Sequence, residues 1–148
     1  MYTYEIKNNM KTYTTNSQYQ TKALAKNFAK TINQKVIALS GDLGAGKTTF
    51  VQGFARGLGI KEKIISPTFI LIRQHTIPQK KNTLFHIDLY RLADNPKIKD
   101  LGIEEIWSNP NNIVLIEWAE KINKFLPKNI LKVSIEKQAE NIRKITIF

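Results

Sequence analysis

The chain has 148 residues, of which 42% are hydrophobic, 9% aromatic and 24% charged, so disordered and collagen-like chains are excluded. Cysteine is absent and there are two histidines, which excludes disulfide scaffolds, thiol nucleophiles and Cys-ligated metal sites and disfavours a His-rich metal site. The length is that of one ordinary domain with its own core, and we predict a single domain over residues 1–148.

The charge is strongly unbalanced, with 23 Lys and Arg against 12 Asp and Glu and a net charge of +11. Such an excess favours polyanionic partners, nucleic acid first, although a genome biased toward lysine and asparagine produces the same composition. No apolar run approaches the roughly 20 residues that span a bilayer, and residues 1–15 lack the apolar stretch of a secretory signal. A cytoplasmic location is expected.

The first predicted helix begins after Ser17, a residue type typical of N-caps, and continues to about Thr31. One side of this helix is apolar at a four-residue spacing, at Leu24, Phe28 and Ile32. Lysines repeat at the same spacing on roughly the opposite side, at Lys22, Lys26 and Lys30. We interpret the lysine row as a solvated helix surface.

A short strand, a glycine-rich segment and a second helix follow. Residues 36–39 form a continuous apolar run, as expected for a strand that is buried on both faces. The second helix begins at about Lys47, after the glycines, and ends near Gly59.

The second half of the chain contains further strand patterns. Residues 69–75 and 83–88 predict an antiparallel hairpin, and residues 113–116 predict a second fully apolar strand. The other predicted segments are an irregular or helical stretch over residues 95–107, a short helix over residues 119–125, and terminal strands over residues 130–135 and 143–148. Strands that alternate with helices early and pair with strands late predict an α/β fold with a mixed parallel and antiparallel sheet.

Residues 41–48, GDLGAGKT, match the pattern G-x-x-x-x-G-K-[ST] at every defined position, between a predicted strand and a predicted helix. Glycine permits the positive φ angles that turn backbone N–H groups toward phosphate oxygens, and the N-terminus of the following helix attracts the same anion. The motif predicts nucleotide binding and a P-loop NTPase-like, three-layer fold. The predicted nucleotide-binding residues of this segment are Asp42, Leu43, Gly44, Ala45, Gly46, Lys47, Thr48 and Thr49.

A phosphate-bound Mg²⁺ ion needs protein ligands beside the loop. Lys47 would place its ammonium against the β- and γ-phosphates, and Thr48 would offer a hydroxyl to the metal. A second metal ligand is usually a carboxylate at the end of a buried strand, and Glu117 and Asp88 both fit. The more apolar strand before Glu117 favours it as the ligand. Asp88 would then hold a metal-bound water or the attacking water, or it would cap a turn or pair with Arg91.

Four other residues are candidates with weaker patterns. Ser66 and Thr68 flank a proline, which predicts either a loop that senses the γ-phosphate or an ordinary turn. Trp118 packs beside a nucleotide or partner, or in the core. His86 lies on a predicted strand, where a buried core histidine is a commoner interpretation than a catalytic base.

Four segments together resemble one family, the TsaE family of small bacterial ATPases of tRNA threonylcarbamoyladenosine biosynthesis. These segments, GDLGAGKTTF, SPTF, HIDLYRL and IEW, occur in the family's order and at similar spacing, and the likeness covers roughly residues 17–127. The resemblance implies a P-loop fold with a mixed sheet, ATP and Mg²⁺ as cofactors, weak intrinsic hydrolysis, and assembly with the proteins TsaB and TsaD. It makes tRNA a partner through that complex, and the basic surface adds the possibility of direct contact.

The resemblance also assigns roles to individual residues. It implies that Lys47 and Thr48 serve phosphate and Mg²⁺, that Glu117 serves Mg²⁺, and that Asp88 is the hydrolytic carboxylate. Lys47, Asp88 and Glu117 are therefore the expected catalytic residues, and Thr48 and Glu117 the expected metal ligands.

The remaining matched positions are expected to contact the nucleotide. Ser66 and Thr68 belong to the switch-like loop, and Trp118 lies beside the metal carboxylate. Contacts with the adenine are expected near residues 15–17 and near Arg143, where the sequence is less distinctive.

Two other functions use some of the same features. A small-molecule P-loop kinase would need a basic lid and an acceptor pocket, and no lid segment is obvious, although residues 99–107 are a candidate. A basic RNA-binding module would use the nucleotide site only as a switch, and it predicts tight, salt-dependent tRNA binding by the isolated chain.

Overall fold

The computed structural model of the protein describes residues 2–67, 71–92 and 98–148. The strands are β1 (Thr3–Lys7), β2 (Met10–Thr15), β3 (Val36–Ser40), β4 (Ile72–Thr76), β5 (Thr83–Asp88), β6 (Asn112–Glu117), β7 (Leu131–Lys137) and β8 (Arg143–Ile147). The helices are α1 (Gln18–Thr31), α2 (Lys47–Gly57), α3 (Ile98–Leu101), α4 (Ile103–Ser108) and a 3₁₀ helix (Ala119–Ile122). No helix in these parts of the chain has the length and apolar character needed to cross a membrane.

The strands form one eight-stranded sheet in the order β1-β2-β8-β7-β3-β6-β5-β4. The four central strands β7, β3, β6 and β5 are parallel to each other, and the outer strands are added in antiparallel pairs. The predicted mixed sheet is therefore confirmed. It follows from the sequence, because the parallel strands β3 and β6 are near-continuous apolar runs whereas the outer strands alternate with polar residues.

Helices cover both faces of the sheet, so the fold has the three predicted layers. Alternate residues of β3 point to opposite faces. Ile37 and Leu39 belong to a core cluster with residues of α1 and α2, whereas Val36 and Ala38 belong to a second cluster with residues of α4 and the 3₁₀ helix. Both faces of the central strands are therefore buried, as the apolar pattern predicts.

Most predicted boundaries agree with the structure. The Ser17 side chain accepts a hydrogen bond from the backbone N–H of Gln20 and caps α1, which ends at Thr31 as predicted. The terminal strands β7 and β8 pair antiparallel, and so do β4 and β5. The start of the predicted strand over residues 69–75 and part of the segment over residues 95–107 lie outside the described residues.

Two local predictions are incomplete or wrong. No element was predicted in the first fifteen residues, where β1 and β2 form a hairpin through Asn8 and Asn9. These two residues have φ angles of 50° and 61°, which asparagine tolerates better than most residues and which a two-residue hairpin turn requires. The helix predicted over residues 119–125 is a 3₁₀ helix that ends at Ile122.

Helices α1 and α2 make a close contact at glycines of α2. A Cβ atom on Gly53 would lie 2.4 Å from the backbone oxygen of Lys22, and one on Gly57 would lie 2.4 Å from that of Lys26. Backbone cannot move aside as a flexible side chain can, so glycine is needed here for packing even though it lowers helix propensity.

We therefore expect Gly53→Ala to destabilise the protein. Alanine gains about 1 kcal/mol of helix propensity, but the overpacking of two helix backbones costs about 1–3 kcal/mol and more where the backbone cannot shift. Urea unfolding should show a net loss of stability. The matched control Lys26→Ala changes an exposed residue of α1 and should change stability by no more than about 0.5 kcal/mol. A more stable Gly53→Ala protein would contradict the packing described here.

Candidate functional site

The glycine-rich loop between β3 and α2 has the backbone geometry of an anion-binding turn. Gly41, Gly44 and Gly46 have φ angles of 148°, 78° and 111°, which side-chain-bearing residues rarely adopt. A Cβ atom on Gly41 would also lie 2.4 Å from the backbone oxygen of Ile135, so glycine is required there twice over. The loop leads directly into α2, whose N-terminus carries the positive end of the helix dipole.

Lys47 is the first residue of α2 and only 5% exposed. Its ammonium donates to the backbone oxygens of Gly41 and of Asp42, the latter at 2.9 Å, and lies 4.0 Å from the centroid of the Trp118 ring. Burial lowers the pKa of Lys47, while the nearby Glu117 carboxylate opposes that effect. An anion bound in the loop would favour the charged form of this lysine.

Thr48 connects the start of α2 to the end of β6. Its hydroxyl donates to the Glu117 carboxylate, with distances of 2.9 Å to Oε1 and 3.2 Å to Oε2. Glu117 is 2% exposed, and Asp88 on the neighbouring strand β5 is its partner in the strand register. Two carboxylates therefore lie side by side at the carboxyl edge of the parallel strands, facing the first turn of α2.

Oxygen ligands of this kind suit Mg²⁺, which takes one or two carboxylates and completes its octahedron with waters and phosphate oxygens. Across the described residues, no group of three or more His, Asp or Glu side chains is arranged to hold a metal ion. Thr48 and Glu117 together offer oxygen atoms that could bind such a cation at the edge of the loop.

Asp88 uses both carboxylate oxygens in contacts with nearby loops. Oδ2 accepts from the Ser66 hydroxyl at 2.7 Å, and Oδ1 accepts from the backbone N–H of Tyr90 at 2.9 Å. The first bond ties the segment before Pro67 to the end of β5. A change at Asp88 would therefore be transmitted to the loop that contains Ser66.

His86 touches Glu117, which its assignment as a core histidine did not anticipate. The ring is fully buried, its Nε2 is hydrogen bonded to Glu117 Oε2, and its Nδ1 has no partner in the described part of the chain. Nε2 must carry the proton if it donates to a carboxylate, so the ring fixes the orientation of Glu117. Its position two residues before Asp88 was the available signal, since parallel strand ends converge on one edge.

Trp118 and Tyr90 form an aromatic wall beside the loop. Trp118 has a φ angle of 60°, a conformation that bulky residues avoid unless their surroundings impose it. Its ring lies 5.1 Å from the ring of Tyr90, centroid to centroid, and the Lys47 ammonium lies over it at 4.0 Å from the centroid. The indole therefore lines the site and also packs against the second core cluster.

The structure brings most of the predicted residues together in one cleft of about 410 Å³. The predicted residues that line it are Leu43, Gly44, Gly46, Lys47, Thr48, Thr49, Ser66, Asp88, Glu117 and Trp118. Asp42 and Ala45 line a different hollow against β7, and Thr68 lies outside the described residues. Gln18 and Tyr90 also line the cleft. The sequence did not predict them, because Gln18 belongs to no motif and the Tyr90 side chain carries no charge.

A second hollow of about 180 Å³ adjoins the cleft and shares Gly44, Gly46 and Thr49 with it. Its other walls include Ser17 and Arg143, close to where the adenine contacts were expected. Arg143 also supports the loop, because its Nε donates to the backbone oxygen of Ala45 at 2.7 Å.

Comparison with known proteins agrees with these features. The profile of the family described as "Threonylcarbamoyl adenosine biosynthesis protein TsaE" matches residues 15–145. The chain belongs to the TsaE family. The resemblance inferred from the four sequence segments is thereby confirmed.

Two relatives and one solved structure illustrate how close this TsaE-family chain is to others. The Bacillus subtilis protein named tRNA threonylcarbamoyladenosine biosynthesis protein TsaE is 41% identical, over 86% of this chain and 78% of its own. The protein of the same name from Rickettsia bellii is 41% identical, over 82% of this chain and 83% of its own. The crystal structure of YdiB of Bacillus subtilis superposes with a TM-score of 0.75 at 32% identity, covering 99% of this chain and 86% of that one.

The contact between His86 and Glu117 predicts a specific pattern of stability in this TsaE-family protein. His86→Leu removes the closest donor to Oε2 of the buried Glu117 carboxylate and leaves that oxygen only the Thr48 hydroxyl at 3.2 Å, which costs about 1–3 kcal/mol. His86→Gln places an amide N–H at the same number of bonds from the backbone as Nε2 and should recover most of that loss. Urea unfolding measures both, and equal stability of the two variants would contradict the hydrogen bond.

Proposed function

We propose that this protein is a Mg²⁺-dependent ATPase that acts in tRNA threonylcarbamoyladenosine biosynthesis. The observation that carries the proposal is the arrangement at one cleft of the Lys47 ammonium, the Thr48–Glu117 pair and the neighbouring carboxylate of Asp88. This set provides a phosphate contact, oxygen ligands for a cation and a carboxylate for water, which are the parts that phosphoryl transfer to water uses.

The triphosphate would occupy the glycine-rich loop. Backbone N–H groups after Gly44 and the N-terminus of α2 favour the anion, and Lys47 is close enough to exchange its two carbonyl contacts for phosphate oxygens. The adenosine would extend toward the adjoining hollow near Ser17 and Arg143. Binding would therefore use residues from both ends of the chain.

Thr48 and Glu117 would hold the Mg²⁺ ion, which neutralises charge on the phosphates when it is bound. Glu117 is already oriented by His86 and Thr48, so little rearrangement of this carboxylate is needed. The burial of Glu117 also keeps competing water from its oxygens and strengthens its interaction with a cation.

Asp88 would position the attacking water. The oxygen of that water forms a bond to the γ-phosphorus, the bond from the γ-phosphorus to the β–γ bridging oxygen breaks, and the water proton leaves toward a carboxylate or a phosphate oxygen. Ser66 donates to one oxygen of Asp88, so a movement of the loop that contains Ser66 would change how Asp88 contacts water. We expect slow turnover alone and faster turnover when a partner orders this loop.

The pathway follows from the names of the relatives, which are tRNA threonylcarbamoyladenosine biosynthesis proteins. Within it, we propose that this chain works in the cytoplasm with TsaB and TsaD and does not itself transfer the threonylcarbamoyl group. Reconstituted tRNA modification with TsaB and TsaD should require this chain when it runs for several cycles. A single cycle should proceed without this chain, with ATP used only for the other steps.

We expect Lys47→Ala to lower ATP hydrolysis by about 100-fold or more, because it removes the main cation at the phosphates. Glu117→Gln should raise the Mg²⁺ concentration for half-maximal activity at least tenfold. Phosphate release with purified protein measures both. Lys124→Ala removes an exposed lysine that does not line the cleft and serves as the control, with unchanged activity.

Two outcomes of that assay would contradict the proposal. A normal rate of ATP hydrolysis by Lys47→Ala would show that the glycine-rich loop takes no part in the reaction. Phosphate transfer that appears only when a small-molecule acceptor is added would instead indicate a kinase, since an ATPase releases phosphate with water as the acceptor.

A further inference from the structure

The outer face of α1 carries a row of cations that the nucleotide site does not use. Lys22, Lys26 and Lys30 are all exposed and lie four residues apart, so successive positions along the helix are about 6 Å apart. The opposite face of α1 is buried through Leu24 and Ala25. The lysines therefore project from the protein in one line.

Acidic residues do not neutralise this row. Neither α1 nor α2 contains aspartate or glutamate, and Asp42 is the only acidic residue between Lys7 and Lys61. The ion pairs found among the described residues join other groups and leave the α1 lysines out. This face therefore concentrates positive charge.

The row borders a groove rather than a flat surface. A hollow of about 500 Å³ is lined by the three lysines, by Arg56 of α2 and by Tyr19, with Gly53 at the helix contact. Tyr19 is 81% exposed, the highest value among the large hydrophobic side chains that the surface shows. A flat aromatic ring therefore stands at one end of a cationic groove.

We propose that this groove binds the sugar–phosphate backbone of a single-stranded or loop region of RNA, with a base stacked on Tyr19. Lysines spaced along a helix contact successive phosphates without reading sequence, and exposed aromatic rings stack on bases of any kind. A docked protein would instead be expected to bury an apolar centre. Half of the residues that line this groove are cationic, whereas charged residues are depleted at the centre of protein interfaces.

The groove is a different surface from the nucleotide cleft, so this inference does not rest on the proposed ATPase activity. Gln18 lines the cleft and Tyr19 lines the groove, so the two sites meet at the start of α1 without sharing a charged residue. A protein with no ATPase activity would still bind RNA through α1, and loss of the lysines would leave basal hydrolysis intact.

The test compares two triple variants of the full chain for binding to a fluorescent, unmodified tRNA transcript. The groove variant combines Lys22→Gln, Lys26→Gln and Lys30→Gln. The control removes the same charge from the side of the protein away from α1 and α2, where Lys144 points opposite to the buried Ile145. The control substitutions are Lys124→Gln, Lys128→Gln and Lys144→Gln.

Fluorescence anisotropy over a range of salt concentrations gives the number of phosphate contacts. For the groove variant, we expect the magnitude of the slope of log affinity against log salt concentration to fall by about two to three, and the affinity at low salt to fall at least tenfold. For the control, the magnitude of the slope should fall by less than one. Equal losses in the two variants, or no binding by the unaltered protein at about 50 mM salt, would overturn the proposal.

Two further measurements distinguish RNA from an acidic protein surface. Tyr19→Ala should weaken binding to a single-stranded RNA oligonucleotide at least fivefold more than binding to an RNA duplex, because only unpaired bases stack on the ring. Polyglutamate should bind more weakly than RNA of equal charge. If polyglutamate binds as tightly and with the same dependence on the three lysines, the groove is an acidic-protein surface and the RNA proposal is wrong. Basal phosphate release by both triple variants should equal that of the unaltered protein.

Discussion

The hydrogen bond from Thr48 to Glu117 is the contact on which the rest of the site depends. It joins the first turn of α2 to the end of β6 at 2.9 Å, although the two residues are 69 positions apart in sequence. The bond is possible because β3 and β6 are parallel neighbours, which brings the loop after one strand beside the last residue of the other. A carboxylate is thereby held where a helix N-terminus and an ammonium concentrate positive potential.

Burial gives this arrangement its electrostatic character. Glu117 and Asp88 are 2% and 3% exposed, and their polar contacts come from His86, Thr48, Ser66 and the backbone of Tyr90. Buried carboxylates without such donors would be costly. These donors lie on three segments, so the same contacts that satisfy the carboxylates connect the P-loop, the segment before Pro67 and β5 with the residues that follow it. The site is consequently sensitive to movement in any of them.

The sequence predicts the elements that are determined by neighbouring residues better than the contacts between distant segments. The apolar runs and the glycine pattern are enough to place β3, the loop and α2, because each is determined by neighbouring residues. The β1–β2 hairpin also has local signals, in Asn8 and Asn9 and in the alternation of Tyr4 and Ile6 with Glu5 and Lys7, but β1 is exposed along its whole length, so no buried face supports the pattern. The partner of His86 was not predicted, because the contact joins residues 31 positions apart and depends on the register of β5 against β6. The lysine row was visible from spacing, whereas the groove beside it depends on the close approach of two helices at Gly53.

A crystal structure of the protein with Mg²⁺ and a non-hydrolysable ATP analogue would show whether the glycine-rich loop holds the triphosphate. We expect Lys47 Nζ to leave the backbone oxygens of Gly41 and Asp42 for the β- and γ-phosphates. We also expect a metal ion bound to the Thr48 hydroxyl, with Glu117 in its coordination sphere or one water away. A glycine loop that stays empty at saturating analogue, or an analogue bound elsewhere while the lysine keeps both carbonyl contacts, would contradict the proposed role of the loop.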